Sequence, residues 1–319
     1  MQDAPSPIDV SLAGLSIADW KDRLAALARE CGRFHPLGDR HFATFIDGKP
    51  TLLVTFETIQ GIHALSGNAH PFGFEVVKAQ GWSHLCLISD GDTWFRDPRV
   101  YGFFDQLIDD GFFEEFDRVV FYGAGPCGYG AAAFSVAAPG ASVLAIQPQA
   151  TLDPRMTEWD DRFTHMRRTS FTDRFGYAPD MLDAAENAFV IYDPREDLDA
   201  MHSALFERAN VTRLRMPNMG STLQTSMIEM QILYRCIILV AKRRFGERTF
   251  YRLYRARRDY IPYLRNLMAR LDAQKRPFLN VLLCRNVTSR INARRFRKRL
   301  VALEKQADAG GFTLPGGPG

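Results

Sequence analysis

The chain has 319 residues, 46% hydrophobic and 24% charged, with a net charge of +3, the profile of a folded globular protein of one large or two smaller domains. No apolar run approaches the ~18 residues of a transmembrane helix; the nearest is Ile237 to Ala241, and the first residues lack the basic and apolar segments of a secretory leader. Five scattered cysteines (Cys31, Cys86, Cys127, Cys236, Cys284) exclude a disulfide framework and a zinc knuckle, and imply a reducing, cytoplasmic compartment.

Residues 1–10 read as a disordered leader. Leu15 to Cys31 has helical periodicity, with Ile17, Trp20, Leu24, Leu27 and Ala28 on one face and Gly32 as the stop. Phe42–Ile46 and Thr51–Phe56 read as a hairpin around Asp47-Gly48-Lys49-Pro50. A strand follows at His84–Ser89, then the acidic loop Asp90-Gly91-Asp92 and Asp97, then a helix at Val100–Asp110. Such a loop either holds a hard cation or is a solvated turn. Arg118–Tyr122 is a strand and Pro126–Val136 a helix, with Pro126 suited to the first helical position. Further strands are expected at Ser142–Ile146, Phe189–Tyr192 and Arg213–Met216, and helices at Pro179–Asn187 and Leu198–Arg208. This alternation predicts an α/β fold, a mostly parallel sheet flanked by helices. The domain plan is a leader of helix and hairpin over 1–49, a core over 50–225, an all-helical extension over 226–306 and a disordered Gly/Pro-rich tail over 307–319.

Between the strand and helix at 118–136 lies Gly123-Ala-Gly-Pro-Cys-Gly128. Two machines use such a turn: the dinucleotide fold, through G-x-G-x-x-G, and the α/β-hydrolase elbow, through G-x-Ser-x-G. The six residues resemble the Gly-Ala-Gly-Pro-Ala-Gly of flavin-binding Rossmann folds, which implies FAD or NAD and an oxidoreductase. Against that, the next strand ends Ala145-Ile146-Gln147-Pro148 without the carboxylate that holds a ribose.

A longer series carries a second resemblance: Gly81-Trp82-Ser83-His84, Thr93-Trp94-Phe95-Arg96, Gly128-Tyr129-Gly130-Ala131-Ala132, Gln147-Pro148-Gln149-Ala150 and Asp153-Pro154. Over roughly residues 50–225 the chain resembles bacterial α/β-hydrolase-like proteins of the accessory-secretion and polysaccharide-acyltransferase kind. This resemblance implies an α/β-hydrolase fold, an acyl or glycan substrate, no cofactor, and a link to surface glycan or secretion. It places the nucleophilic serine on Gly125, the oxyanion N–H on Pro126, the acid on Asp193 and the histidine on Ser221. Gly125 has no attacking oxygen and Pro126 has no N–H, so the expectation is a member without serine-hydrolase chemistry that binds a ligand or partner. The alternative is a relocated acyl-transfer site, with Cys127 as nucleophile and His202 and Asp193 in support. Against it, Cys127 also suits packing under the helix start, His202 a helix surface and Asp193 a turn cap.

The glycines and first N–H groups of the turn suit a small anion, with Gly123, Gly125, Cys127, Gly128 and Ser221 as its ligand-binding residues; they also suit tight strand–helix packing. Glu30-Cys31-Gly32-Arg33-Phe34-His35 resembles the Glu-Cys-Gly-x-His of sulfonucleotide reductases, but with longer spacing and no accompanying phosphate loop. Lys242 to Lys305 carries 20 basic against 4 acidic residues, a net of +16, while the rest of the chain carries 20 against 33, a net of −13. The extension therefore either docks on the chain's own acidic body or meets nucleic acid, an anionic membrane surface or an acidic protein.

Overall fold

The computed structural model describes residues 7–314; residues 1–6 of the expected leader and 315–319 of the expected tail lie outside the described residues. Eight strands form one sheet: β1 (Gly32–Pro36), β2 (His41–Ile46), β3 (Lys49–Thr58), β4 (Trp82–Ser89), β5 (Arg118–Ala124), β6 (Ser142–Ile146), β7 (Asn187–Tyr192) and β8 (Val211–Arg215). Their order is β1-β2-β4-β3-β5-β6-β7-β8. β2 is antiparallel to β1 and β4, and every other pair is parallel.

β2 and β3 flank the expected turn but are not a hairpin, because β4 lies between them. A Cβ on Gly48 would meet the carbonyl oxygens of Gly81 and Trp82 at 2.7 and 2.8 Å, so the bare glycine admits the start of β4 beside the turn. All eight residues of β4 are buried, and a strand covered on both faces is most stable inside a sheet rather than at its edge. The supposed leader thus supplies two strands of the common sheet. Ile8, within the 1–10 segment expected to be disordered, is buried with Leu12, Trp20, Phe42 and Ile88.

The described residues form fourteen α-helices, eleven of them around the sheet. The first three, α1 (Ile17–Cys31), α2 (Ile59–Leu65) and α3 (Gly73–Gln80), pack over β2 and β4. Helix α1 starts where Ser16 Oγ accepts from Asp19 N–H, an N-cap that satisfies one orphan donor. On the opposite face lie α4 (Pro98–Asp109), α5 (Pro126–Phe134), α6 (Pro154–Thr157) and α7 (Ala178–Met181). There Phe56, Phe95, Phe104 and Phe134 form a ring cluster, with Phe104 and Phe134 centroids 4.6 Å apart. Helix α8 (Asp197–Leu205) follows β7.

The all-helical remainder divides in two. Helices α9 (Leu223–Glu229), α10 (Leu233–Ala241) and α11 (Glu247–Leu253) cover β5–β8 through Leu223, Met227, Ile237, Val240 and Phe250. They are part of the main core, so the expected boundary at 225/226 cuts through a packed layer. Helices α12 (Ile261–Ala273), α13 (Pro277–Arg290) and α14 (Arg294–Asp308) share a small core of their own around Met268, Val281, Cys284 and Phe296. Among the described residues no single helix is long and apolar enough to cross a membrane.

Two glycines test the close packing of α5. A Cβ on Gly123 would lie 2.0 Å from the Cys127 carbonyl oxygen, whereas one on Gly102 in α4 meets nothing within 4 Å. Gly123→Ala should cost ~1–3 kcal/mol or more, while Gly102→Ala should be neutral or stabilising by up to ~1 kcal/mol. Urea unfolding of both variants measures this; equal midpoints would refute the packing argument.

Candidate functional site at the strand–helix elbow

β5 ends at Ala124 and α5 begins at Pro126, so the chain reverses at a single residue, Gly125. Its φ of 57° and ψ of −126° form a strained region for any residue with a Cβ. The Gly125 N–H donates to the Ile146 carbonyl at 2.8 Å, and its carbonyl accepts from Tyr129 N–H at 3.1 Å. A Cβ built on Gly125 meets nothing within 4 Å, so the place of an elbow nucleophile is open space. Asp193 follows β7 and is fully buried. Its Oδ2 accepts from Met219 and Gly220 N–H at 2.7 and 2.8 Å, and its Oδ1 from Arg195 N–H at 2.9 Å. The acid after β7 is therefore tied to the loop after β8, and it follows an elbow that follows β5. That chain order, on a sheet whose second strand is reversed, decides the architecture.

The chain has the α/β-hydrolase fold. Its strand order differs from the 3-2-1-4-5-6 of the dinucleotide fold, and at the end of β6 the residue that would hold a ribose is Gln147. The Gln147 side chain is engaged, donating to Asp199 at 2.5 Å and accepting from Leu223 N–H at 2.9 Å.

No family model matches the sequence, and no curated protein matches it. Among solved structures it is similar to the glycosylation associate protein (Gap123) complex from Streptococcus agalactiae, at 11% identity over 62% of this chain and 44% of that one, with a TM-score of 0.41. It is also similar to the carboxylesterase EstE1 from a metagenomic library, at 12% identity over 72% and 97%, TM-score 0.39. A third is brefeldin A esterase, a bacterial homologue of human hormone-sensitive lipase, at 13% identity over 66% and 75%, TM-score 0.40. The chain spans less than half the length of the first of these.

Within this α/β-hydrolase fold the expected site residues separate. Gly125 and the exposed Ser221 border one cleft of about 270 Å³, together with Gln147, Arg162 and Asp199. Gly123 and Gly128 are buried packing positions rather than ligand contacts: a Cβ on Gly128 would meet the Ile146 carbonyl oxygen at 3.0 Å. His202 is neither a surface histidine nor a partner of Asp193. It is fully buried, its Nδ1 accepting from Ala150 N–H at 3.2 Å and its Nε2 donating to Asp160 at 2.9 Å. Burial lowers its pKa against the pull of Asp160, so it is a neutral structural group. Asp160 is pushed up by burial, but hydrogen bonds from His202 and Arg162 hold it below the usual carboxylate range. Arg162 in turn bridges Asp160 and Asp199, so the cation of the cleft is already neutralised.

Cys127 is buried, and burial together with the Glu57 and Asp92 carboxylates pushes its thiol well above the ordinary range. It is a thiol at neutral pH, not the thiolate a relocated nucleophile needs. It lines a second cavity of about 380 Å³ beside the elbow, walled by Phe56, Ile62, Leu65, Phe72 and Ile228. Three carboxyl side chains, Glu57, Glu75 and Asp92, also line it, and no lysine or arginine does. The charged side chains of this cavity are therefore all acidic, which does not favour the anion expected at the start of α5.

Glu57 is the site residue that sequence reasoning missed. Its carboxyl accepts from Phe72 N–H at 2.9 Å, from Thr55 Oγ1 at 2.8 Å and from Cys86 Sγ at 3.4 Å. Thr55 Oγ1 lies 2.8 Å from His84 Nε2, so His84 donates to Thr55, which donates to Glu57. The available signal is an acid set in the apolar run Leu52 to Phe56, on the same strand face as Thr55. Ligand atoms of Glu57, His84 and Cys86 lie within 4.8 Å of one another, but Thr55 and the α3 backbone already occupy the carboxylate. His84 Nδ1, by contrast, is buried without a hydrogen-bond partner.

Burial pushes the Glu57 pKa up despite these bonds and lowers that of His84 to about 3. His84 is therefore neutral when folded and protonated below ~6.5 when unfolded. Its contribution is intact above that value and is lost as pH falls toward 3. Glu57 acts oppositely, favouring the fold at low pH and losing that effect as pH rises through its raised value. His84→Gln should flatten the loss of stability between pH 6.5 and 3 in urea titrations; an unchanged acid limb would show that His84 does not set it.

Proposed function

We propose that this α/β-hydrolase-fold protein binds, without hydrolysing, a small ligand that has an apolar body and a cationic or hydrogen-bond-donating end. The observation that carries the reading is the bare Gly125 at the elbow apex, followed by Pro126, beside a cavity that remains open. A serine hydrolase needs an attacking oxygen, a base and an oxyanion hole. Here the apex has no side chain, the following residue has no N–H, and Asp193 holds backbone N–H groups where a histidine would stand. Loss of one oxyanion donor alone costs ~10²–10³ in rate.

The cavity supports binding. Its wall of Phe56, Ile62, Leu65, Phe72 and Ile228 removes an apolar body from water, and the exposed Glu75 and Asp92 offer acceptors and negative charge, with the hydrogen-bonded Glu57 behind them. Binding a cation stabilises the ionised form of Glu57, so affinity should weaken as pH falls through its raised pKa. The ordered motifs at residues 81–154 support placing the protein beside surface-glycan and secretion functions. In this reading Cys127 is a lining residue rather than a nucleophile.

A fluorophosphonate probe should leave the protein unlabelled, and a thiol-directed acyl probe should not select Cys127. Gly125→Ser alone should give no esterase activity, since the N–H and base are still missing. Hexylamine should raise Tm where hexanoate does not; at ten times its Kd the amine adds about 1.4 kcal/mol, on the order of 2–4 °C. Asp92→Asn and Glu75→Gln should each reduce that shift, and the double variant should abolish it. Stabilisation by hexanoate, or selective acylation of Cys127, would overturn the reading.

A further inference from the structure

The +16 extension packs on the core through Phe250 and Tyr254, but the core's acidic residues do little to neutralise its charge. Of its ion pairs among the described residues, three stay within the extension (Arg285–Glu304, Arg290–Asp259 and Arg299–Asp272), and one, Arg243–Glu186, reaches the core. The charge is concentrated instead along a groove of about 1090 Å³ formed by residues 243–258. All seven cationic side chains lining it are arginines, against a single acid, Glu247. Arg243 is paired with Glu186, and Arg257 lies over the Tyr254 ring at 4.3 Å. Arg244, Arg248, Arg252, Arg255 and Arg258 are exposed, and none of them forms an ion pair among the described residues.

Arg248, Arg252, Arg255 and Arg258 are spaced by four, three and three residues, the spacing of one face of a helical run, and Arg244 lies in the link that precedes it. From Arg248 to Arg258 the chain runs through α11 into a 3₁₀ turn, Tyr254–Arg258, so the stripe is ~15–20 Å long at 1.5–2.0 Å per residue. A stripe of that length suits a linear series of anions better than a point anion. Guanidinium forks match phosphate oxygens in paired hydrogen bonds. The half-buried Tyr251 also lines the groove and offers an aromatic surface of the kind that stacks bases. An interfacial membrane helix requires apolar anchors beside its cations. The exposed large apolar residues of this region, Phe278, Leu279, Leu282 and Val301, lie on α13 and α14 and do not line the groove.

We infer that the arginine stripe 244–258 binds the phosphate backbone of single-stranded nucleic acid. Binding is sequence-tolerant, because the contacts are to phosphate, and it is independent of the elbow cavity. Five phosphate contacts give a slope of log K against log salt of about −3.5 for a single strand, a loss of ~100-fold between 50 and 200 mM salt.

Fluorescence anisotropy of the full chain with a labelled 20-nucleotide oligouridylate tests this. The triple variant Arg248→Glu/Arg252→Glu/Arg255→Glu should bind at least tenfold more weakly, with a shallower salt slope and an unchanged circular-dichroism spectrum and Tm. Arg294→Glu/Arg295→Glu/Lys298→Glu, an equal charge change at a separate basic groove on α14, should bind as the wild type does. Equal weakening by both variants would show bulk charge attraction and overturn the assignment. So would competition by polyglutamate matching that by unlabelled oligonucleotide, or tight binding to phosphatidylserine vesicles with none to the oligonucleotide.

Discussion

The reversal of the chain at Gly125 is the constraint on which the upper half of the molecule depends. A strand that ends and a helix that begins on either side of one residue forces α5 back against the sheet that it leaves. Seven consecutive residues of α5, Cys127 to Ala133, are buried, as is Phe134 beyond them. The helix is apolar all round because it is covered all round. Such proximity needs glycine at particular points: Gly123 beneath the first turn, and Gly130 where a Cβ would come within 2.7 Å of Phe56 and 2.9 Å of Phe95. The phenylalanine cluster, the elbow and the two cavities beside it all follow from that approach.

Polar chemistry is retained around this frame, but it is turned inward. On one side Asp160, Arg162, Asp199, His202 and Gln147 form a closed network. On the other, His84, Thr55 and Glu57 form a short chain ending at the α3 backbone. Buried polar groups persist at least cost when paired or hydrogen-bonded; the first set meets that condition, while His84 Nδ1 in the second is buried without a partner. Asp193 is held by hydrogen bonds in the same way: the carboxylate after β7 accepts from the backbone N–H groups of Met219 and Gly220. What remains free to meet a ligand is the apolar cavity with its carboxyl groups, and the exposed arginine stripe far along the chain.

Much of the central sheet was legible. Strands β4 to β8, α1 and the elbow follow from apolar runs, period-3.6 spacing and the glycine turn, since these are local signals. The Asp47–Pro50 turn was misread as a hairpin because nothing local records that β4 will enter between β2 and β3; that depends on pairing across some 35 residues. Burial of Ile8 and Leu12 was missed for the same reason, as their partners Trp20, Phe42 and Ile88 come from three separate elements. His202 has a helix-surface spacing in sequence, yet the chain from Gln149 to Asp160 folds over it.

The sequence by itself determined what the elbow lacks. A glycine at 125 and a proline at 126 remove an oxygen and an N–H whatever the surroundings, because those atoms are absent from the covalent chain. It also determined the excess of charge in residues 242–305. Only the tertiary structure decided the sign of the cavity, the neutrality of His202 and the raised pKa of Cys127, since each depends on desolvation and on carboxyl groups brought in from distant strands. It likewise decided that the core leaves most of the extension's charge unpaired: charge is a property of residues, but its neutralisation depends on which residues meet.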